Sequence, residues 1–268
     1  MVKYAPRFRL FYERMGVSMS KPAATDNQLI AGRNAVTEAI RSGRALEYLL
    51  VAKGTGGSAR GIIALARQHG VPVKELPRKT LDEKLPGINH QGVAALYSAG
   101  SYADLQALID RAKAAPGGGL LLVLDKIEDP HNLGAILRTA EASGASGVII
   151  PKRGGVGLTA TAVKVASGAA AYLPVARVPN LAAACGTLKD NGFWLYGADM
   201  DGEDLRQVQM SGPVALVIGS EGFGISRLLK ERCDFLIKIP MFGQINSLNA
   251  SVAAGILLYK AALDRAAL

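Results

Sequence analysis

From Leu29 to Ala99 the spacing of apolar positions changes several times over short distances. Asn34–Arg41, Ala59–His69 and Thr80–Leu85 carry apolar residues three and four apart, as in helices with one buried face. Tyr48–Ala52, Val71–Leu76 and Val93–Tyr97 are short apolar or alternating runs of strand length. Gly70 closes the second helix and Pro86-Gly87 the third; glycine accepts the turn that ends a helix, and proline cannot extend one. From Leu120 onward the runs become more apolar. Leu120–Leu124, Val148–Ile150, Val175–Val178, Trp194–Gly197, Val214–Ile218 and Phe235–Ile239 have the pattern of strands buried on both faces. Leu133–Ser143, Thr161–Ala166, Leu181–Asp190, Ser226–Glu231 and Asn249–Ala262 read as the helices between them. The expected fold class is α/β: a small layered domain over residues 28–99, then a mostly parallel sheet over 120–268 with ligand sites at the carboxyl ends of its strands.

Between the two, residues 100–119 read as a linker. A helix over Tyr102–Ala114 runs into Pro116 and Gly117–Gly119, which should end it and allow a hinge. Residues 1–27 carry Lys3, Arg7, Arg9, Arg14 and Lys21 against Glu13 with little apolar pattern, and disorder is expected there.

The longest apolar runs are strand-sized, and no segment has the charged, apolar, then small-residue layout of a secretory signal. A cytoplasmic protein is the expectation. Two cysteines (Cys185, Cys233) and three scattered histidines make a disulfide framework or a bound metal unexpected. Charge is more informative. Of the net +9, residues 1–100 supply 15 Lys and Arg against 7 Asp and Glu, while the remainder is near balance at 16 against 15. A basic excess confined to one region suits a module that faces nucleic acid.

Three segments carry candidate chemistry. Asp129-Pro-His-Asn132-Leu-Gly-Ala-Ile-Leu-Arg138-Thr-Ala-Glu141 follows a strand and opens a helix. Asn132 suits an N-cap, and Arg138 and Glu141, three apart, share a helix face where they could pair with each other or hold a phosphate or ribose. Gly219-Ser-Glu221-Gly-Phe-Gly224 follows the strand Val214–Ile218. It departs from G-x-G-x-x-G, and Glu221 would repel a pyrophosphate, so a nucleoside ligand fits better than a dinucleotide. Ile239-Pro-Met241-Phe-Gly-Gln-Ile-Asn-Ser247-Leu248-Asn249 leads from a strand into a helix rich in small residues, with Ser247 or Asn249 as its cap.

In order and spacing, these segments resemble motifs 1, 2 and 3 of the SpoU (TrmH) RNA 2′-O-ribose methyltransferases over residues 120–262. Ile30-Ala-Gly-Arg-Asn-Ala-Val and Asn89-His-Gln-Gly-Val resemble the ends of the small RNA substrate-binding domain of one branch, the large-subunit ribosomal RNA guanosine-2′-O-methyltransferases. The resemblance implies a trefoil-knotted catalytic domain, S-adenosylmethionine as methyl donor, RNA as substrate and a homodimer through the last helix. It places Arg138, Asn132, Glu221, Ser247 and Asn249 in catalysis, and Gly219, Ile239, Met241 and Leu248 around the cofactor. Three rivals are a transfer RNA ribose methyltransferase, a non-catalytic RNA-binding assembly factor and a nicotinamide-dependent oxidoreductase. The last lacks both a dinucleotide fingerprint and an evident hydride-handling His or Tyr.

Overall fold

The computed structural model describes residues 29–43 and 45–266; the expectation for residues 1–27 lies outside them. In the small domain, β1 (Leu29–Ala31), β2 (Leu46–Ala52), β3 (Val73–Leu76) and β4 (Val93–Tyr97) form a sheet in the order β1-β4-β2-β3. β4 is antiparallel to both β1 and β2, and β3 is parallel to β2, so β1, β2 and β3 all point the same way. Successive strand side chains face opposite sides. Leu49 and Val51 therefore join a core with Val36, Ala39 and Ile40 of α1 (Arg33–Arg41) and Ile62 of α2 (Gly57–Gln68). Leu50 and Ala52 meet Leu81 of α3 (Arg78–Lys84) on the other face.

The large domain holds a fully parallel sheet in the order β10-β8-β9-β5-β6-β7. Its strands are β5 (Leu120–Leu124), β6 (Gly147–Pro151), β7 (Val175–Val178), β8 (Trp194–Asp204), β9 (Val214–Ile218) and β10 (Phe235–Lys238). Leu120, Leu122 and Leu124 pack on one face with α5 (Pro130–Ala142), α6 (Ala160–Val165) and α9 (Ala250–Ala266). Leu121 and Val123 pack on the other with α4 (Leu105–Ala114), α7 (Leu181–Asp190) and α8 (Arg227–Lys230). From β5 the chain builds outward to β7, then returns to build β8, β9 and β10 on the other side. The order reverses between β5 and β9, and such a switch point opens a crevice beyond the strands' carboxyl ends. Among the described residues, no helix is long and apolar enough to cross a membrane.

Two sequence expectations need correction here. β8 does not end at Gly197: it continues to Asp204 past a bulge, pairing Gly197 with Leu236 and then Glu203 with Ile237. The intervening Ala198–Gly202 is displaced from the pairing and alternates no apolar face, which is why its pattern reads as loop. Residues 100–119 are also packed rather than free. Asp104 caps α4, whose Leu108, Ile109 and Ala112 are buried in the large domain's core, and a Cβ on Gly119 would lie 2.4 Å from the Ala112 carbonyl oxygen.

The domains meet through a buried polar cluster. Glu47 of β2 is 1 % exposed, and its Oε2 lies 2.9 Å from Arg177 Nη1 on β7. Tyr102 donates to Glu47 Oε1 at 2.6 Å, its own oxygen accepts from the Leu158 amide, and Arg177 Nη2 donates to the Glu47 carbonyl at 3.1 Å. Burial, then the neighbouring Glu47 carboxylate, pushes the Tyr102 hydroxyl far above its ordinary range, so it stays protonated and donates. Gly157 closes over this cluster: a Cβ there would collide with Glu47 Oε2.

Removing one partner of such a pair leaves a buried charge uncompensated. Glu47→Ala should lower the unfolding free energy by about 3–5 kcal/mol, while Glu47→Leu/Arg177→Met should recover most of that loss. Urea denaturation checks this; equal losses in both variants would show that the ion pair is not what holds the junction. Burial also pushes the Cys185 and Cys233 thiols up to about 12. Iodoacetamide at pH 8 should therefore leave both unmodified in the folded protein and label both in urea, read by intact mass.

Candidate active site

The crevice is built from the segments that follow β5, β9 and β10. After β5, Asp125 is buried and accepts from the Ser226 amide at 2.8 Å, while its own amide donates to the Ile218 carbonyl. These bonds tie the exits of β5 and β9 together. Lys126 then takes a φ of 56°, a left-handed conformation that bulky residues rarely adopt. The N-cap of α5 is Asp129, whose side chain accepts from the His131 amide, and not Asn132 as the sequence suggested. Pro130 explains the difference. It favours the first helical position and holds the preceding residue extended, so the cap falls one residue before it. Asn132 is thereby moved into the first turn, with its side chain released for other partners.

After β9 the chain folds back sharply. A Cβ on Gly219 would lie 1.9 Å from the Gly224 carbonyl carbon, so this close approach accepts only glycine. Reciprocal amide-to-carbonyl bonds between Ser220 and Gly224 (3.2 and 2.9 Å) hold the turn and present Glu221 at its tip. After β10 the chain crosses to α9, which Asn249 caps by accepting from the Ser251 amide at 2.9 Å.

These three segments converge on one oxygen. Glu221 Oε1 accepts from Asn132 Nδ2 at 2.9 Å, from Asn249 Nδ2 and from the Ala250 amide at 3.3 Å. Asn249 Nδ2 also donates to Asn132 Oδ1 at 2.9 Å. Charge-assisted bonds of this kind are the stronger ones.

Two clefts flank the network. The larger, about 640 Å³, lies between the carboxyl ends of β8, β9 and β10. Gly219, Ile239, Met241, Leu248 and Ser247 all line it, and Asp199 and Asp201 from the β8 bulge stand beside it. The smaller, about 410 Å³, opens over the start of α5 and is lined by Lys126, Asp129 and Asn132. Glu221 and Phe223 line both.

The structure thus gathers every candidate except Arg138. Arg138 lies on α5 about 9 Å of helix rise beyond Asn132, exposed, lining neither cleft and without a hydrogen bond or ion pair among the described residues. The surface pair with Glu141 does not form.

Two contributors escaped the sequence reading. Ser220 has a buried Oγ with no partner among the described residues and lines both clefts; its place inside the second motif was the available signal. Lys126 left none, because its distinguishing feature is a backbone angle.

Comparison with known proteins agrees with this architecture. The sequence model of the SpoU rRNA methylase family matches residues 119–259, and that of the RNA 2′-O ribose methyltransferase substrate-binding domain matches residues 29–103. YacO of Bacillus subtilis, named for the TrmH family of tRNA/rRNA methyltransferases, is 49% identical over 233 residues, covering 86% of this chain and 93% of its own. A solved AdoMet-bound rRNA methyltransferase from Sinorhizobium meliloti superposes with a TM-score of 0.55 at 27% identity, covering 87% of this chain and 85% of its own. The SpoU methyltransferase AviRb from Streptomyces viridochromogenes, in complex with AdoMet, gives 0.56 at 25% identity over 90% of this chain and 91% of its own. Matched by the family over residues 119–259 and 49% identical to a relative across 86% of its length, the chain belongs to the SpoU rRNA methylase family.

Proposed function

We propose that this protein transfers a methyl group from S-adenosylmethionine to a ribose 2′-hydroxyl of RNA, a guanosine of large-subunit ribosomal RNA being the preferred target. The observation that carries the reading is the Asn132–Glu221–Asn249 network at the boundary of two adjoining clefts. One cleft suits the methyl donor, the other the nucleotide that receives the methyl group. Their shared wall is where the two reactants would meet.

The larger cleft fits the donor on its chemistry. Gly219 brings backbone to its edge where a side chain cannot stand, and Ile239 and Leu248 offer apolar walls. Ser220 Oγ is a buried hydroxyl lacking a partner among the described residues. Lys230 already pairs with Asp199 at 2.9 Å and with Asp201 at 3.3 Å, so Glu221 is the carboxylate that faces a ligand whose sulfonium and ammonium are positive. When bound, the donor supplies an electrophilic methyl group on sulfur.

The protein's own task is positioning. The attacking 2′-oxygen must lie in line with the methyl–sulfur bond while its proton leaves, and fixed orientation alone is equivalent to effective molarities of about 10⁵ M or more. Glu221 Oε1 is occupied by three donors, whereas Oε2 has no partner among the described residues and can accept from a ribose hydroxyl. Ser247 and the two asparagines complete that polar wall. Arg138 keeps an unpaired guanidinium beyond it. Its planar fork suits gripping the phosphate that adjoins the target ribose, or stabilising charge on the 2′-oxygen once bound RNA brings the ribose within its reach.

Further parts of the reading rest on separate observations. α9 exposes Val252, Ile256, Tyr259 and Leu263 at spacings of four, three and four, an apolar stripe suited to a homodimer. The chain after β10 would be threaded as a trefoil knot before entering α9. A cytoplasmic location suits an RNA substrate of this kind. Ribosomal RNA is supported by the family's description and by the S. meliloti structure's title. Transfer RNA is the second reading, because YacO's name covers both.

Methyl transfer from labelled S-adenosylmethionine to total RNA of a deletion strain, followed by nuclease mapping of resistant sites, tests the proposal. Label at one large-subunit position is the expected result. Label in transfer RNA changes the substrate, and no label alongside intact cofactor binding would sink the activity. Arg138→Ala should reduce turnover at least 100-fold with cofactor affinity within about threefold, since one preorganised electrostatic contact commonly contributes a factor of about 10²–10³; wild-type turnover would remove Arg138 from the site. Ile256→Glu/Leu263→Glu should convert a dimer to a monomer by sedimentation, and a variant that still dimerises would place the interface elsewhere.

A further inference from the structure

The small domain carries its charge in a particular place. β1, β2 and β3 run parallel, so the residues following their carboxyl ends gather at one end of the sheet. Arg33 follows β1, Lys53 follows β2, and Arg78 and Lys79 follow β3. Arg60 joins them from the first turn of α2. Lys53, Arg60, Arg78 and Lys79 are exposed, Arg33 is half-buried, and none forms an ion pair among the described residues. Glu75, near the end of β3, and Asp82 of α3, which His90 engages, are the acidic residues beside them.

This placement works against folding. The amino-terminal end of a helix carries partial positive charge and favours acidic neighbours. α1 instead begins with Arg33 and α2 holds Arg60 in its first turn, and neither has an acidic residue there. Like charges brought together without counter-charges destabilise the compact state. A polyanion bound across this end would reverse both effects.

The loop at the centre of the same end is held rigidly. His90 is 4 % exposed; its Nδ1 accepts from the Gly92 amide at 3.0 Å, so its proton sits on Nε2, which donates to Asp82 at 2.7 Å. Between them Gln91 is exposed with a φ of 52°, and Arg33 Nε donates to its carbonyl at 3.3 Å. A Cβ on Gly92 would lie 2.5 Å from Thr55 Oγ1. Backbone held in a rarely populated conformation by a buried scaffold points to a function for what it presents.

The opposite end of this sheet is the domain junction, where Glu47 meets Arg177. Six residue-to-residue steps of extended chain lead from Glu47 to Lys53, about 20 Å at roughly 3.3 Å per step.

We propose that Arg33, Lys53, Arg60, Arg78 and Lys79, around the pinned Gln91 loop, form the surface that grips the sugar-phosphate backbone of the substrate RNA. The contact lies about 20 Å beyond the domain junction. An RNA that occupies both this surface and the crevice therefore extends well past the methylated nucleotide. This rests on the reading of the chain as an RNA methyltransferase.

The test compares two double variants of equal charge change in the full-length protein. Lys53→Gln/Lys79→Gln removes cations from the proposed surface; Arg41→Gln/Arg67→Gln removes them from the last turns of α1 and α2, away from it. Binding of a folded large-subunit ribosomal RNA transcript is followed by fluorescence anisotropy from 50 to 200 mM salt. The first variant should weaken binding at least tenfold and flatten the slope of log affinity against log salt by about two, one per lost phosphate contact. The second should stay within about threefold. In methyl transfer the first variant should raise KM with kcat within about twofold, and its melting temperature should match or exceed wild type because repulsion is relieved. Equal weakening by both variants, or none by the first, overturns the proposal. Failure of the wild type to methylate any RNA would remove the assigned activity, while the binding comparison would still decide this surface.

Discussion

A single carboxylate oxygen holds together segments that the chain keeps far apart. Asn132 and Glu221 are 89 residues apart and Asn132 and Asn249 are 117 apart, yet both asparagine amides donate to or around Glu221 Oε1. Each segment reaches that point for a local reason. Pro130 shifts the cap of α5 to Asp129 and frees Asn132. Gly219 lets the chain double back closely enough to carry Glu221 outward. Asn249 divides its functions, its oxygen capping α9 and its nitrogen reaching Glu221. Changing any one would leave most of the core intact, because Leu122, Leu216 and their neighbours are buried independently of it. What would be lost is the boundary between the two clefts, and with it, on the proposed reading, the relative placement of donor and acceptor.

Legibility followed burial. Leu120–Leu124, Val175–Val178 and Val214–Ile218 are apolar because both sheet faces are covered, and these strands have the boundaries their pattern predicts. β1 is a three-residue edge strand with every residue half-buried, so it has no such pattern. The junction was invisible for another reason. Glu47 and Arg177 are 130 residues apart, and each alone looks like a solvent-facing charge. Only their pairing explains how either can be buried. In the crevice, residue type alone marked Asn132 and Asn249 as helix caps; it was the resemblance of their segments, and of Glu221's, to the SpoU motifs that placed all three in one site. Lys126 and the buried Ser220 hydroxyl depend on backbone geometry and tertiary packing, which no one-dimensional pattern encodes.

Placing a buried ion pair at the junction has a consequence for recognition. Two apolar surfaces can slide with little change in energy, whereas an Arg–carboxylate contact with a tyrosine on its flank is directional. The contact between Glu47, Arg177 and Tyr102 therefore specifies an orientation as well as an affinity between domains. The Ala103–Ala176 bridge and the Ala99 amide donating to the Leu158 carbonyl add backbone bonds at the same place. Rigid coupling would make the small domain a ruler rather than a tether: under the proposed RNA contact, its far end limits what can enter the crevice.

Such an arrangement separates affinity from chemistry. Phosphate contacts are strong, dependent on salt and indifferent to sequence, so a cationic end cannot by itself choose a nucleotide. On the proposed reading selection comes from geometry, because an RNA held by its backbone at the far end of the small domain would also have to present one unstacked ribose between the two clefts. Base edges in RNA helices are largely hidden, and a protein that reads shape in this way avoids that limit. The same logic accounts for the exposed Phe223, which borders both clefts and offers an aromatic face where a base leaving its stack would need one. Long-range fit and local capture together would discriminate where neither does so alone.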